Sequence, residues 1–177
     1  MEERGSWETC ISPDLAEFIG RQASVFLGTA SADGQPYIQH RGGPPGFLKV
    51  LDDKTFGFAV FAGNHQYITL GNLTENPKAF IFLIDYKNRQ RIKIWGRARA
   101  VEDDPELIKK LKPHGYRVRL EQVILFTVSA WDSNCPQHIP QRLEAAEVKA
   151  MLAERNKRID ELTAELDRLR KLRIGSP

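Results

Sequence analysis

Residues 78–101 read KAFIFLIDY, KNRQ, RIKIWGRARAV. Lys78–Tyr86 is nearly all apolar, the pattern of a strand covered on both faces. After the turn Lys87–Gln90, strict alternation takes over. Arg91, Lys93, Trp95, Arg97 and Arg99 point one way, and Ile92, Ile94, Gly96, Ala98 and Ala100 the other. A link this short joins antiparallel strands, because a parallel pair needs a long crossover.

The same punctuation recurs outward in both directions. Upstream, Ala23–Ala30 reads as a strand, Asp33-Gly34 as a hairpin turn, and Tyr37–His40, Phe47–Leu51 and Thr55–Phe61 as further strands. Ser12-Pro13-Asp14 starts a short helix reaching about Gln22, with Leu15, Phe18 and Ile19 on one face. Tyr67–Leu73 forms another helix, stopped by Asn76-Pro77. Downstream come a helix over Asp104–Leu111 and a last strand over Val118–Trp131. Short strands, tight turns and minor helices predict a closed antiparallel barrel rather than a βαβ sheet.

From about Arg142 to Arg173 the chain has neither glycine nor proline. Val148, Leu152, Ile159, Leu162, Leu166 and Leu169 follow a three-four spacing broken at Arg155. An unbroken helix of this length reaches about 50 Å, and so narrow a stripe fits either a second subunit or the helix's own barrel. The domain boundaries expected are 1–141 for the barrel and 142–177 for the helical, coiled-coil-like extension.

Composition bounds the function. The net charge of +3 over 177 residues is too small to argue for nucleic acid. The start, MEERGSWETC, lacks the apolar run of a signal peptide, and no stretch approaches the roughly 18 apolar residues of a membrane helix. A cytoplasmic protein without membrane or nucleic-acid partners is expected, with Cys10 and Cys135 as free thiols.

Four segments carry candidate chemistry. Arg41–Val50, RGGPPGFLKV, interrupts a strand pattern with prolines and glycines between two cations. It reads as a stiff connecting loop or as a backbone cradle for an anion. Gly63-Asn64-His65-Gln66, with Thr69 and Asn72 beyond it, runs a glycine turn into a helix start, where free N–H groups favour negative charge. Trp131–Pro140, WDSNCPQHIP, places Cys135 three residues before His138. A metal needs further ligands and a catalytic thiol needs a base and an oxyanion site, so a loop shaped around a pocket or a partner is the simpler reading. No metal site is expected. The cationic side of Arg91–Ala100 is either an anion-binding wall or a solvated strand face.

Taken together, the order and spacing of four segments resemble the pyridoxamine 5'-phosphate oxidase-like family of FMN-binding split barrels. They are TASADGQPYIQHRGGPPGFLKVLDD (29–53), GNHQYITLGNLTENPKAFIFL (63–83), IKIWGRARAVEDD (92–104) and WDSNCPQHIPQR (131–142), and the resemblance spans roughly Pro13–Arg142. It implies a split β-barrel, a homodimer, and FMN in clefts between subunits. It also implies that Arg41 and Lys49 hold the flavin phosphate, that Phe47 and Leu48 offer backbone and apolar contact to the flavin, and that Phe61 sits beside them. Asn64, His65, Thr69 and Asn72 complete the phosphate and ribityl contacts. His65 stands where relatives often have Arg, which implies a weaker, pH-dependent grip. The Arg-x-His arrangement of true pyridoxamine phosphate oxidases is missing, so vitamin B6 oxidation is not implied. The resemblance leaves an FMN-dependent oxidoreductase acting on a small molecule or electron donor, with Trp131, Cys135 and His138 in its pocket. The alternative is a flavin carrier or sensor that binds without turnover, with the C-terminal helix as an assembly device.

Overall fold

The computed structural model describes residues 7–61, 67–113, 115, 120–133 and 135–174. The chain divides into two compact units, Met1–Asp85 with Arg89–Ile139, and Tyr86–Asn88 with Pro140–Pro177.

The first unit opens with helix α1 (Pro13–Arg21), whose first turn is capped by the Ser12 hydroxyl accepting from the Leu15 N–H at 3.2 Å. Its apolar face, Leu15, Phe18 and Ile19, is buried. Strands β1 (Ser24–Ala30), β2 (Pro36–Gly42), β3 (Lys49–Val50) and β4 (Thr55–Phe61) follow, then helix α2 (Ile68–Glu75). Strands β5 (Lys78–Asp85) and β6 (Gln90–Val101), helix α3 (Pro105–Leu111) and strand β7 (Leu120–Ser133) complete the unit. The strands form one sheet in the order β2-β1-β5-β6-β7-β4-β3, and every neighbouring pair is antiparallel.

The architecture is a seven-stranded antiparallel half-barrel with short helices. Among the described residues the ladder does not close between its edges, β2 and β3, so the closed barrel expected from the strand pattern is a split one. In the loop joining those edges, Gly43 N–H reaches the Ala23 carbonyl at 3.0 Å, extending the β1–β2 ladder by one step, and Gly46 N–H reaches the Gly20 carbonyl at the end of α1 at 2.8 Å. Pro44 and Pro45 have no N–H to offer.

The glycines and prolines of this loop now have a structural reason. Phe47 N–H donates to the Pro44 carbonyl at 2.9 Å, closing a four-residue turn with Pro45 second and Gly46 third. Gly46 has φ of +84°, the left-handed conformation that third place requires in a type II turn. At Gly43 a Cβ would lie 2.6 Å from the Phe47 ring. The loop thereby drives Phe47 and Leu48 into the core, each 1% exposed. That leaves β3 shorter than the expected Phe47–Leu51, since the Phe47 and Leu51 amides close turns at either side.

The main core joins α1, β1, β4, β5, β6 and β7. A second cluster sets Leu107, Ile108 and Leu111 of α3 against Ala59, Val123 and Leu125. As a result β4, not β5, is buried on both faces. On β5 only Ala79, Ile81 and Leu83 are buried, while Phe80, Phe82 and Ile84 are half-exposed. Two-sided cover of Lys78–Tyr86 is therefore corrected to one-sided cover: nothing among the described residues fully covers the outer side. The alternation of β6 holds, with Ile92, Ile94 and Ala98 buried and Arg97 and Arg99 exposed.

The second unit contains helix α4 (Ala145–Ile174). Its start is tied down by Lys87 bonding the Glu147 carboxylate, and the Arg142 guanidinium lies 4.2 Å from the Tyr86 ring centroid. No described helix is long and apolar enough to cross a membrane.

Candidate functional site

Strand β2 alternates between exposed and half-buried residues, and Tyr37, Gln39 and Arg41 form the half-buried set. They lie opposite Thr29, Leu27 and Val25 of β1, which are 5%, 0% and 0% exposed. Directly opposed residues share a sheet face, so all six turn toward the core side.

Gln39 organises this row. Its Oε1 accepts from Arg41 Nη2 at 2.8 Å and from Thr69 Oγ1 at 2.7 Å. Thr69 is fully buried in the first turn of α2. One turn on, the Asn72 side-chain amide donates to Thr29 Oγ1 at 3.0 Å. These two bonds fasten α2 to β1 and β2 and set the start of α2 beside the arginine.

The resulting locus is electropositive and under-satisfied. Arg41 Nε is buried without a hydrogen-bond partner, and among the described residues no carboxylate pairs with this arginine. Burial pushes its guanidinium below the ordinary arginine value, with Tyr37 opposing the shift. Helix α2 has no side-chain N-cap and no acidic residue in its first turn. A buried polar group left unpaired costs free energy, and a helix start without a cap presents donors and a positive dipole end. Both features favour an anion with several acceptor oxygens.

Of the residues singled out in the sequence, Arg41 and Thr69 therefore meet through Gln39. Asn72 sits next to them but spends its amide on Thr29. Asn64 and His65 lie outside the described residues. Phe47 and Leu48 place their side chains in the core, because the Pro44–Phe47 turn aims them inward. Phe61 is partly buried at the end of β4, packed on the α3 cluster.

Lys49 has a different neighbourhood. Its Nζ donates to the Lys110 and Lys112 carbonyls at 2.8 and 2.9 Å, where α3 ends and its last carbonyls lack helical partners. The ammonium thus caps α3. Lys49→Met is expected to lower stability by about 1 kcal/mol, the scale of an exposed charge-assisted cap. That equals a fall of roughly 2–4 °C in a thermal melt. A melt unchanged by the substitution would contradict the cap.

Trp131 ties the N-terminal segment to β7, its Nε1 donating to the Cys10 carbonyl and its N–H to the Glu8 carbonyl, both at 2.8 Å. Cys135 and His138 are exposed, and His138 adopts a positive φ of 66° in the turn before buried Ile139. Among the described residues no group of three or more His, Cys, Asp or Glu is placed to hold a metal. Gln39 and Thr29 escaped the motif reading. The period of two through Tyr37-Ile38-Gln39-His40-Arg41 contained the signal for Gln39; Thr29 lay in a strand with no polar pattern.

The sequence profile of the pyridoxamine 5'-phosphate oxidase family matches residues 11–135. Among curated proteins none matches the chain. Among solved structures, tagged HupZ of Group A Streptococcus is 23% identical, with a TM-score of 0.55 over 75% of this chain and 99% of that one. An FMN-binding protein from Syntrophomonas wolfei subsp. wolfei is 15% identical, with a TM-score of 0.52 over 68% of this chain and 82% of that one. A putative pyridoxamine 5'-phosphate oxidase from Lactobacillus delbrueckii is 20% identical, with a TM-score of 0.51 over 71% and 95%. At these identities the likeness is one of fold, and it includes the split-barrel arrangement described above.

Proposed function

Because the chain belongs to the pyridoxamine 5'-phosphate oxidase family, we propose that it is an FMN-dependent oxidoreductase whose flavin phosphate is held by Arg41 and the start of α2. The observation that carries this reading is the buried, unpartnered Nε of Arg41, clamped by Gln39 against Thr69 beside an uncapped helix start. A phosphate supplies the acceptors that this locus lacks, and arginine grips phosphate through two parallel donors.

The flavin, when bound, supplies hydride or electron transfer. The residues of the chain do the rest. Gln39 fixes the guanidinium orientation, Thr69 fixes Gln39, and the Asn72–Thr29 bond keeps α2 in place.

The working form is a homodimer with flavins in clefts between subunits, and the outer side of the sheet supports this. Phe26, Phe80, Phe82 and Trp95 are only half-covered and Ile38 is 69% exposed. The rings form a contiguous patch: Phe26 and Phe82 centroids are 6.4 Å apart, Phe80 and Trp95 5.2 Å, and Trp95 stacks on Trp7 at 4.6 Å. An apolar patch of this kind marks a contact surface. The small-molecule substrate and the electron donor approach the same cleft.

The test is the visible spectrum of the purified protein, mass analysis of the released ligand, and anaerobic addition of NADH or NADPH. A flavin spectrum that bleaches and returns in air, with FMN released on denaturation, is the expected result. A haem or deazaflavin spectrum would overturn the cofactor. FMN inert to every reductant would leave a carrier instead of an enzyme.

A further inference from the structure

Helix α4 carries an apolar seam that the described residues leave exposed. Val148, Leu152, Ile159, Leu162, Leu166 and Leu169 are between 38% and 58% exposed. Their steps of four and three are those of a two-stranded coiled coil, with Arg155 in the one place not apolar. We infer that the occupant of this seam is α4 of a second copy, running antiparallel. In the stagger that fits, Leu152 faces Leu169 of the second copy, Ile159 faces Leu162, and Arg155 faces Leu166.

The direction follows from charge. Residues 155–158 (RNKR) contain three cations, residues 160–167 (DELTAELD) four acids and no cation, and residues 168–171 (RLRK) three cations. A parallel pair in register sets Arg155 against Arg155 inside the seam. Like charges at close range repel. The antiparallel stagger lays 155–158 on 163–166, so that Arg158 flanks Glu165 of the second copy and Arg155 has the same carboxylate within reach. It lays the cationic 168–171 on the uncharged 150–153, AMLA.

Neighbouring staggers fail on the same grounds. A shift of one heptad one way brings Arg158 onto Arg158, and the other way Glu165 onto Glu165. The chosen stagger has one like-charged pair, Lys149 with Arg170, near the helix ends, where salt screens it. Arg158 already bonds Glu161 on its own helix at 3.1 Å, and Asp167 bonds Arg170 at 3.6 Å. These bonds hold the charges on the helix surface without covering the seam. Parallel and antiparallel pairs both satisfy a two-fold axis, so a homodimer by itself leaves the direction open. The inference stands whether or not the site binds FMN.

The experiment uses the full chain with Cys10→Ser and Cys135→Ser, so that an added thiol is the only one. Leu152→Cys and Leu169→Cys are made separately and oxidised alone or after co-expression. The antiparallel pair gives covalent dimers only from the mixture, at least about tenfold above either variant alone. Self-cross-linking of each single variant would establish a parallel pair, and no cross-link in any sample would show that a second α4 does not cover the seam; either overturns the inference. A second readout leaves the seam intact. Amide exchange over residues 150–170 accelerates about tenfold in Glu165→Lys and in Arg158→Glu, and slows again when both are combined. Acceleration that persists in the double variant, or none in the single ones, contradicts the stagger.

Discussion

Arg41→Met is expected to weaken FMN binding by about 10- to 150-fold and to leave the apoprotein as stable as before, or slightly more so. The two effects have one origin. Hydrogen bonds to a charged group contribute about 1.5–3 kcal/mol, and each 1.4 kcal/mol is tenfold in affinity. In the free protein the same guanidinium is desolvated and its Nε unpaired, so an apolar chain of similar length removes a cost. Arg41→Lys retains the charge but loses the fork, and its affinity falls between the two. Arg99→Ala, on an exposed position of β6, changes little. Titration of the four apoproteins with FMN, beside thermal melts, reads both quantities. Equal affinity across the set, or an Arg41→Met protein that melts far below its parent, would remove Arg41 from the site.

Phe82→Glu is expected to reduce copurified flavin to less than about a tenth while the fold survives. Phe82 lies on the half-covered side of β5, beside Phe26, so a carboxylate there stays hydrated in a lone subunit. In a homodimer joined through this face it becomes a buried, unpaired charge. Breaking a buried pair costs about 3–5 kcal/mol, and lost ring burial adds about 1.5–3 kcal/mol. Together these correspond to more than about a thousandfold weaker association. Flavin content is the readout because α4 forms a separate contact that can hold two chains together. Circular dichroism checks the fold, and Lys109→Glu, on an exposed position of α3 away from this face, serves as the control. A variant that keeps full flavin content would place the cofactor away from any contact made by this face.

Much of the fold was legible because local chemistry and tertiary role agree. Ser12-Pro13 starts α1, and Asn76-Pro77 follows α2. The Lys87–Gln90 turn and the alternation after it fixed the β5–β6 hairpin, whose register runs from Lys78–Arg97 to Asp85–Gln90. What misled was cover. An apolar run such as KAFIFLID does not say whether its second face is buried by its own chain or by another. β4 shows the converse, since its cover comes from α3, some fifty residues further on.

The site was legible in part for the same reason. Arg41 and Thr69 were recognisable as anion-binding types, but the residue that joins them is an ordinary glutamine on a short strand. Lys49 was expected at the phosphate because it follows a glycine-proline loop; the carbonyls it bonds, those of Lys110 and Lys112, are about sixty residues away in the chain and leave no local signal. The burial of the Phe47 and Leu48 side chains was not legible, because the direction of a side chain after a turn depends on Gly46 being left-handed.

One comparison bears most directly on everything proposed for this protein: calorimetric titration of the flavin-free chain with FMN and, in parallel, with riboflavin. A grip centred on Arg41 and the start of α2 predicts one FMN per chain and riboflavin at least about a hundredfold weaker, since the two ligands differ only in the phosphate. Equal affinity for both, or heat from neither, would contradict it.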